Sequence, residues 1–463
     1  MTSKANTLIR GGIIITMDPQ LQDLPRGDIL IERGHISAIA PRLDAPADTE
    51  TIDAAGMIVM PGLVNAHQHT WQSGIRGIAG DWTLFDYGRH IHAGLATHYR
   101  PNDIYIANLV GALNQLNGGV TTLFDWCHNN PTPEHSDRAI DALFESGIRA
   151  VFGHGTPKPQ LGKGGVPIDE YLHPEGEVKR LRHGRLSVDD ALVTMAMCIR
   201  GPDLASYEAT THDLRLARKY GLIVSCHIGG RMPFNRRTPD GIVRLAQDGL
   251  LGPQLNLVHA NKLGDDELRI AADAGASFTT TPEVEMQMGH GLPVTGRLLA
   301  LGARPSIGID VESTIGGEML WATRFALQLQ RGIDNIAVNS AGREIERISI
   351  SARRALEWAT IDGARALGME SRIGSLAPGK EADMILIRAG DLNLFPVHNP
   401  VEAVLFHSSS ANVDTVLVAG IAVKRDGRLL YPDLCTKKQA LAQSGERLLR
   451  ETGRFSPAHR KPA

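Results

Sequence analysis

Eight short apolar runs recur along the chain from about residue 60: "GLVNAH", "GVTTLFDW", "IRAVFGH", "ALVTMAM", "LIVSCHI", "LNLVHA", "ASFTTTP" and "PSIGID". Most are continuous rather than alternating. Each therefore reads as a strand buried on both faces, the pattern of a parallel sheet. Stretches with apolar residues at helical spacing lie between several of them. Examples are "RPNDIYIANLVGALNQLNGG" and "DLRLARKYG", the second ending on a glycine placed to cap a helix. Repeated strand–helix units predict an α/β fold, and eight of them predict a (β/α)8 TIM barrel rather than an open sheet. No GxGxxG follows the first run, which argues against a dinucleotide-binding fold.

The two ends of the chain have a different texture. "TLIRGGIIITMD", "GDILIERGHISAIA" and "TIDAAGMIVMPG" alternate short apolar runs with Gly/Asp turns, and so do "GSLAPGKEADMILIRAG" and "VDTVLVAGIAVKRDGRLL". The simplest joining is a small composite β-sandwich built from residues 1–60 and 375–435, flanking a barrel over residues 61–374. Residues 436–463, with "TKKQALAQSGERLLRETGRF" at their head, are expected to form a surface helix and a loose tail.

Composition narrows the function classes. Hydrophobic content of 42% and charged content of 21% suit a globular protein. A net charge of −3 argues against a nucleic-acid footprint or a polybasic membrane patch. No run approaches the ~18 apolar residues that cross a bilayer. The run "GGIIITM" is short and lacks a small-residue cleavage site after it, so no signal peptide is expected. Cys127, Cys198, Cys226 and Cys435 show no CxxC spacing and read as reduced thiols of a cytoplasmic protein.

Candidate chemistry sits at the ends of the apolar runs. In "NAHQHT", His67 and His69 are two apart, so at a strand end they point the same way. Alone, such a pair is as well read as two hydrogen-bonded polar residues. However, "LIVSCH" ends at His227, "LNLVH" at His259 and "PSIGID" at Asp310. In a (β/α)8 barrel all C-terminal strand ends face one mouth. Four imidazoles and a carboxylate would converge there, a ligand set for one or two divalent transition ions such as zinc, iron, manganese or cobalt.

These motifs together resemble the amidohydrolase superfamily. The branch they resemble most holds the S-adenosylhomocysteine/methylthioadenosine deaminases, the cytosine and guanine deaminases and the triazine hydrolases. "MPGLVNAHQHTWQSGIRG" is similar to its PGxVnxHxHxxQxxxRG pattern, including Gln72, Arg76 and Gly77, and "GSLAPGKEADMILI" to its exit motif. The resemblance implies His67, His69, His227 and Asp310 as direct metal ligands. It implies His259 as a ligand or as an orienting group for water and substrate, and Asp310 as proton acceptor for the attacking water. It also implies a small-molecule substrate and a homo-oligomer.

The chain departs from that pattern at several points. The deaminase branch carries HxxE after the fifth barrel strand. Here "HIGG" places Gly230 where the glutamate would stand. A glycine cannot shuttle a proton to a ring nitrogen, which favours substrates with an acyl-type bond or a good leaving group. Further candidates for the site are His128, Glu283, Glu285 and Glu312, with Glu283 and Glu285 expected to share one face of an extended segment. Candidates for the substrate pocket are Gln72, Trp82, Phe85, Cys198 and Arg200, with Tyr87, His90 and His92 nearby.

Three functions are compatible with these residues. The first is metal-dependent hydrolysis of an amide, urea, carbamate, aryl amine or aryl chloride in a small aromatic or heterocyclic molecule. The second is a dinuclear iron or manganese oxygenase that uses the extra carboxylates. The third is a non-catalytic metal-binding scaffold.

Overall fold

The computed structural model describes residues 6–157, 166–230 and 232–453. Its strands fall into two sheets. Five come from the N-terminal segment: β1 (Thr7–Ile14), β2 (Leu24–Glu32), β3 (His35–Ala40), β4 (Glu50–Asp53) and β5 (Met57–Pro61). Eight form the barrel: β6 (Leu63–Gln68), β7 (Val120–Cys127), β8 (Arg149–Gly155), β9 (Val193–Ile199), β10 (Ile223–Ile228), β11 (Leu255–His259), β12 (Ser277–Thr280) and β13 (Ser306–Ile307). Four more return near the C-terminus: β14 (Met384–Arg388), β15 (Val413–Val418), β16 (Ile421–Arg425) and β17 (Arg428–Leu429).

Each of the eight apolar runs overlaps one barrel strand. They pair in parallel and in sequence order, β6 next to β7 and so on to β13. The run of β-branched and aromatic residues Val120–Cys127 is buried at every position, because helices cover one face and the barrel interior packs the other. The seam between the last and first strands is closed by main-chain hydrogen bonds of two candidate site residues. Asp310 N donates to His67 O at 2.9 Å, and His69 N donates to Asp310 O at 2.7 Å.

The chain's two ends meet as the β-texture predicts. Strand β5 pairs antiparallel with β14 over Met57–Pro61, and all nine strands outside the barrel share one hydrogen-bonded sheet. Pairing follows one continuous path that branches at β1, where β4 and β5 take successive stretches of the same edge. Ile9, Ile14, Ile29, Ile36, Val59, Met384 and Leu417 give it a core of its own.

A buried cation ties this sheet to the barrel. The Arg149 guanidinium, 1% exposed at the start of β8, donates to Asp383 at 2.8 Å and also pairs with Glu381. The helix Leu434–Glu451 is docked rather than loose. Ser444 Oγ donates to Asp103 at 2.6 Å, Arg447 pairs with the same carboxylate, and Leu448 is fully buried. The tail expected after it lies outside the described residues. Among the described residues, no helix is long and apolar enough to cross a membrane.

Candidate metal centre and its cavity

The strand ends bring the imidazoles together. His67 lies within β6, His69 one residue past it, His227 within β10 and His259 at the last position of β11. Asp310 follows β13 by three residues, at a bridge to Gln68. One ligand atom each from His67, His227, His259 and Asp310 can be chosen so that all lie within 4.8 Å of one another. Asp310 Oδ1 is 3.3 Å from His67 Nε2 and 3.4 Å from His69 Nε2, and Asp310 Oδ2 is 3.8 Å from His259 Nε2.

The backbone is shaped to make this possible. His259 and Asp310 both take left-handed conformations, φ 73° and 68°, as does Ala260 at 58°. Each costs about 1 kcal/mol or more for a residue with a Cβ. Such strain persists only where surrounding contacts hold it, and here two of the three residues are those aimed at the cluster.

The protonation states fit a cation. Burial first, then neighbouring imidazoles, holds His227 far below the usual histidine range and pushes His69 down to about 3. Burial lowers His67 as well. Burial would raise the Asp310 carboxyl, but the His67 hydrogen bond and the surrounding imidazoles outweigh it and hold it well below the carboxylate range. The result is neutral imidazoles at His67, His69 and His227 beside one carboxylate, the forms in which these groups bind metal. Burial would lower His259 too, but the Glu285 hydrogen bond and the Asp310 charge outweigh it and hold that imidazole above the usual range. His67 is fully buried; its Nδ1 has no hydrogen-bond partner among the described residues, and its Nε2 faces Asp310 Oδ1 at 3.3 Å. A buried imidazole so placed is poorly satisfied by protein alone, and a divalent ion at Nε2 would satisfy it.

Neighbouring groups fix the rings. His69 Nδ1 donates to Trp126 O at 2.7 Å, leaving Nε2 for the cluster. Glu285, fully buried, faces His259 Nδ1 at 3.3 Å. It also accepts from Thr281 N at 2.8 Å and from Asn261 Nδ2 at 3.2 Å. This carboxylate–imidazole arrangement orients ligating histidines in many metal sites.

The expectation of an extended segment bearing both glutamates is corrected. Pro282 opens a short helix, Pro282–Gln287, so residues two apart point in different directions. Glu285 turns to His259, whereas Glu283 accepts from Trp321 Nε1 at 2.8 Å. Burial pushes the Glu283 carboxyl up to about 7. Glu312 is likewise committed elsewhere. Its oxygens take Ser73 Oγ at 2.8 Å, Arg76 Nε at 2.6 Å and Asn114 Nδ2 at 3.1 Å in a buried network.

A cavity of about 440 Å³ opens above the cluster. That volume is within the range of small-molecule sites. Leu84, Tyr87, Trp126, Ile228, Met288 and Val311 give it apolar walls, and His92, His128, Arg200, Asp203 and His290 give it polar points. His128 stands with its ring 4.2 Å from that of His69 and its Nε2 3.2 Å from His92 Nδ1. Arg200 reaches the wall, its guanidinium donating to the carbonyls of Ile168 and Pro157. Trp126 is the wall residue that strand reading passes over. Its ring lies 4.4 Å from His227, and its Nε1 donates to Ser225 at 3.2 Å.

Other expected pocket residues fall behind or outside this wall. Gln72 is buried behind it, donating to the Tyr87 hydroxyl and accepting from Ser313 Oγ. Cys198 is fully buried with Phe124 and Trp126 in the barrel interior. Trp82 packs against His90 and the core. Phe85 is 76% exposed, because in its helical turn Leu84 and Tyr87 take the inward positions. Gly230 lines the cavity, and a Cβ built on it meets nothing within 4 Å.

Comparison with known proteins agrees with this geometry. The family model described as "Amidohydrolase family" matches residues 58–423. A 5-methylthioadenosine/S-adenosylhomocysteine deaminase of Syntrophobacter fumaroxidans is 28% identical over 93% of this chain and 95% of its own length. A 5'-deoxyadenosine deaminase of Methanothermobacter thermautotrophicus is 29% identical over 90% and 94%. Among solved structures, an adenosine deaminase from Xanthomonas campestris with bound zinc superimposes with a TM-score of 0.83 at 23% identity, covering 96% of this chain and 99% of that one. The atrazine chlorohydrolase of Arthrobacter aurescens TC1, complexed with zinc, gives 0.83 at 25% identity over 95% and 100%. The chain belongs to the amidohydrolase family and is a hydrolase.

Proposed function

We propose that this amidohydrolase uses a single divalent transition ion to hydrolyse a leaving group from a small heteroaromatic molecule, of the chemical kind its relatives take: an aminopurine nucleoside or a chlorinated triazine. The observation that carries the reading is the convergence of His67, His69, His227, His259 and Asp310 beneath a largely apolar cavity with no carboxylate at Gly230. Zinc is the ion bound in two of the similar structures. When bound, such an ion supplies Lewis acidity and makes water reactive at neutral pH.

The chain's own residues do the rest. Asp310 Oδ1 faces His67 Nε2 and His69 Nε2, with which it would hold the ion, and this leaves Oδ2, beside His259 Nε2, to accept the proton of the attacking water. Glu285 holds the His259 ring through Nδ1, so that Nε2 faces the reacting centre. Trp126, Leu84, Tyr87 and Met288 offer flat and apolar surface for a heteroaromatic ring and exclude water from it.

The oxygenase reading loses its motive. Glu283 and Glu285 are engaged with Trp321 and with His259 and Asn261 rather than with a second cluster of ligands. The deciding experiment loads the protein with zinc and follows turnover of 5'-methylthioadenosine, 5'-deoxyadenosine and a chlorotriazine. Release of ammonia or chloride that depends on zinc and is lost in Asp310→Asn supports the proposal. Turnover that survives Asp310→Asn at an undiminished rate would sink it.

A further inference from the structure

Another histidine reaches the cavity and is used by nothing described so far. His290 follows the helix Pro282–Gln287, and its main-chain N–H donates to the main-chain carbonyl of Glu285 at 2.9 Å. Glycines flank it on both sides with left-handed φ, 77° at Gly289 and 121° at Gly291. Side chains rarely adopt these angles. Here they turn the chain sharply enough that the intervening imidazole lines the cavity.

The ring is 4% exposed and stands edge-on to His259, with centroids 4.8 Å apart. Neither Nδ1 nor Nε2 has a hydrogen-bond partner among the described residues. His290 is also outside the group whose ligand atoms converge within 4.8 Å. A buried imidazole with both nitrogens unsatisfied costs stability unless something else completes it. Met288, two positions earlier, lines the same cavity with an apolar side chain, so filling the space does not require a histidine.

Position 230, also in the cavity lining, has no side chain to offer. Gly230 contributes only backbone, and Lys262 Nζ is occupied with the Gly230 carbonyl at 3.0 Å. A ring nitrogen or leaving atom of a heteroaromatic substrate gains electron density as water adds to the neighbouring carbon. It then needs a hydrogen-bond donor. A neutral imidazole offers one N–H and one lone pair.

We propose that His290 is a catalytic residue that hydrogen-bonds the substrate's ring nitrogen or leaving atom, supplying from the β12 side the polar contact that Gly230 cannot supply from the β10 side. This rests on the heteroaromatic substrate class proposed above.

The test uses full-length zinc-loaded protein and the variants His290→Ala, His290→Gln and His290→Ala/Gly230→Glu. Zinc content and thermal unfolding are measured first, then kcat and KM separately on the same nucleosides and chlorotriazine. Losing a donor aimed at developing charge costs about a hundredfold in kcat. His290→Ala should therefore lose about that factor in kcat, with KM and zinc content little changed. His290→Gln, which keeps an N–H, should recover about tenfold of it. Glutamate at position 230 should restore activity in the double variant. Unchanged kcat in His290→Ala overturns the proposal, as does a loss that tracks zinc content. If His290→Ala does not fold, a kcat for His290→Gln about tenfold below wild type at full zinc content supports it, and a wild-type kcat or a fall in step with zinc overturns it. Wild-type protein inert to every compound would refute the substrate class itself, and this proposal with it.

Discussion

Replacing Glu285 by glutamine separates two roles for this buried carboxylate. As the group that orients His259, it touches the centre only through Nδ1, at 3.3 Å. Glutamine preserves its volume and one oxygen. The other oxygen becomes an NH2 that must face either the His259 Nδ1–H or the Asn261 amide donor, which now donates to Glu285 at 3.2 Å. One donor is then set against another: facing His259, the amide leaves Nδ1 to Thr281 Oγ1 alone, at 3.1 Å, and facing Asn261 it removes the bond that anchors residue 285, so either way the His259 ring is held less firmly. Removal of such an orienting partner typically weakens metal binding 10–100-fold, or about 1.4–2.7 kcal/mol. Titration of the zinc-loaded protein with a chelating indicator would measure it. The expected result is unchanged stoichiometry with zinc affinity lower by that factor. If Glu285 were instead a ligand of a second ion, the variant would lose a whole equivalent of metal. An unaltered affinity would refute the orienting role.

Four further outcomes follow. Gly230→Glu should fold normally, since its Cβ meets nothing within 4 Å. It should raise deamination of adenine nucleosides by about 10²-fold, the lower end for a positioned general acid, followed by ammonia release. Asp383→Ala strips the 1%-exposed Arg149 of its bidentate partner and should cost about 3 kcal/mol, read as a lower thermal transition. Glu283 has its carboxyl raised to about 7, so its neutral form is the stabilising one. That contribution is complete below about pH 4.5 and is lost as pH rises through about 7. Glu283→Gln should therefore stabilise the protein at pH 8 by at most about 3 kcal/mol and leave it unchanged at pH 4, compared by denaturant titration. Removing metal with a chelator should lower the thermal transition of the wild type, because the ion binds only the folded arrangement, whereas His67→Ala should show no such response.

The barrel was legible because its strands are buried on both faces and therefore read as continuous apolar runs. Even the two-residue strand β13 carries the "PSIGID" signature, and the cluster follows because its residues end those runs. The helix Pro282–Gln287 was missed because "TTTPEVE" continues the period of β12, while Pro282 at the first helical position changes the geometry. The docking of Leu434–Glu451 depends on Asp103, more than three hundred residues away, and nothing local to the helix announces it. Leu84, Phe85 and Tyr87 are adjacent aromatic and aliphatic residues, and only the helical turn decides that Phe85 faces solvent. His290 had a local signal, a histidine between two glycines beyond the seventh strand. Its meaning, two unsatisfied nitrogens in the cavity wall, exists only in three dimensions.

Metal stoichiometry, measured by elemental mass spectrometry on protein purified without added metal, tests the single-ion centre most directly. The expected result is about one divalent transition ion per chain, lost in His227→Ala and in Asp310→Ala but retained in His128→Ala and Glu283→Gln. Two ions per chain, one of them lost with His128 or Glu283, or a full complement in Asp310→Ala, would contradict it.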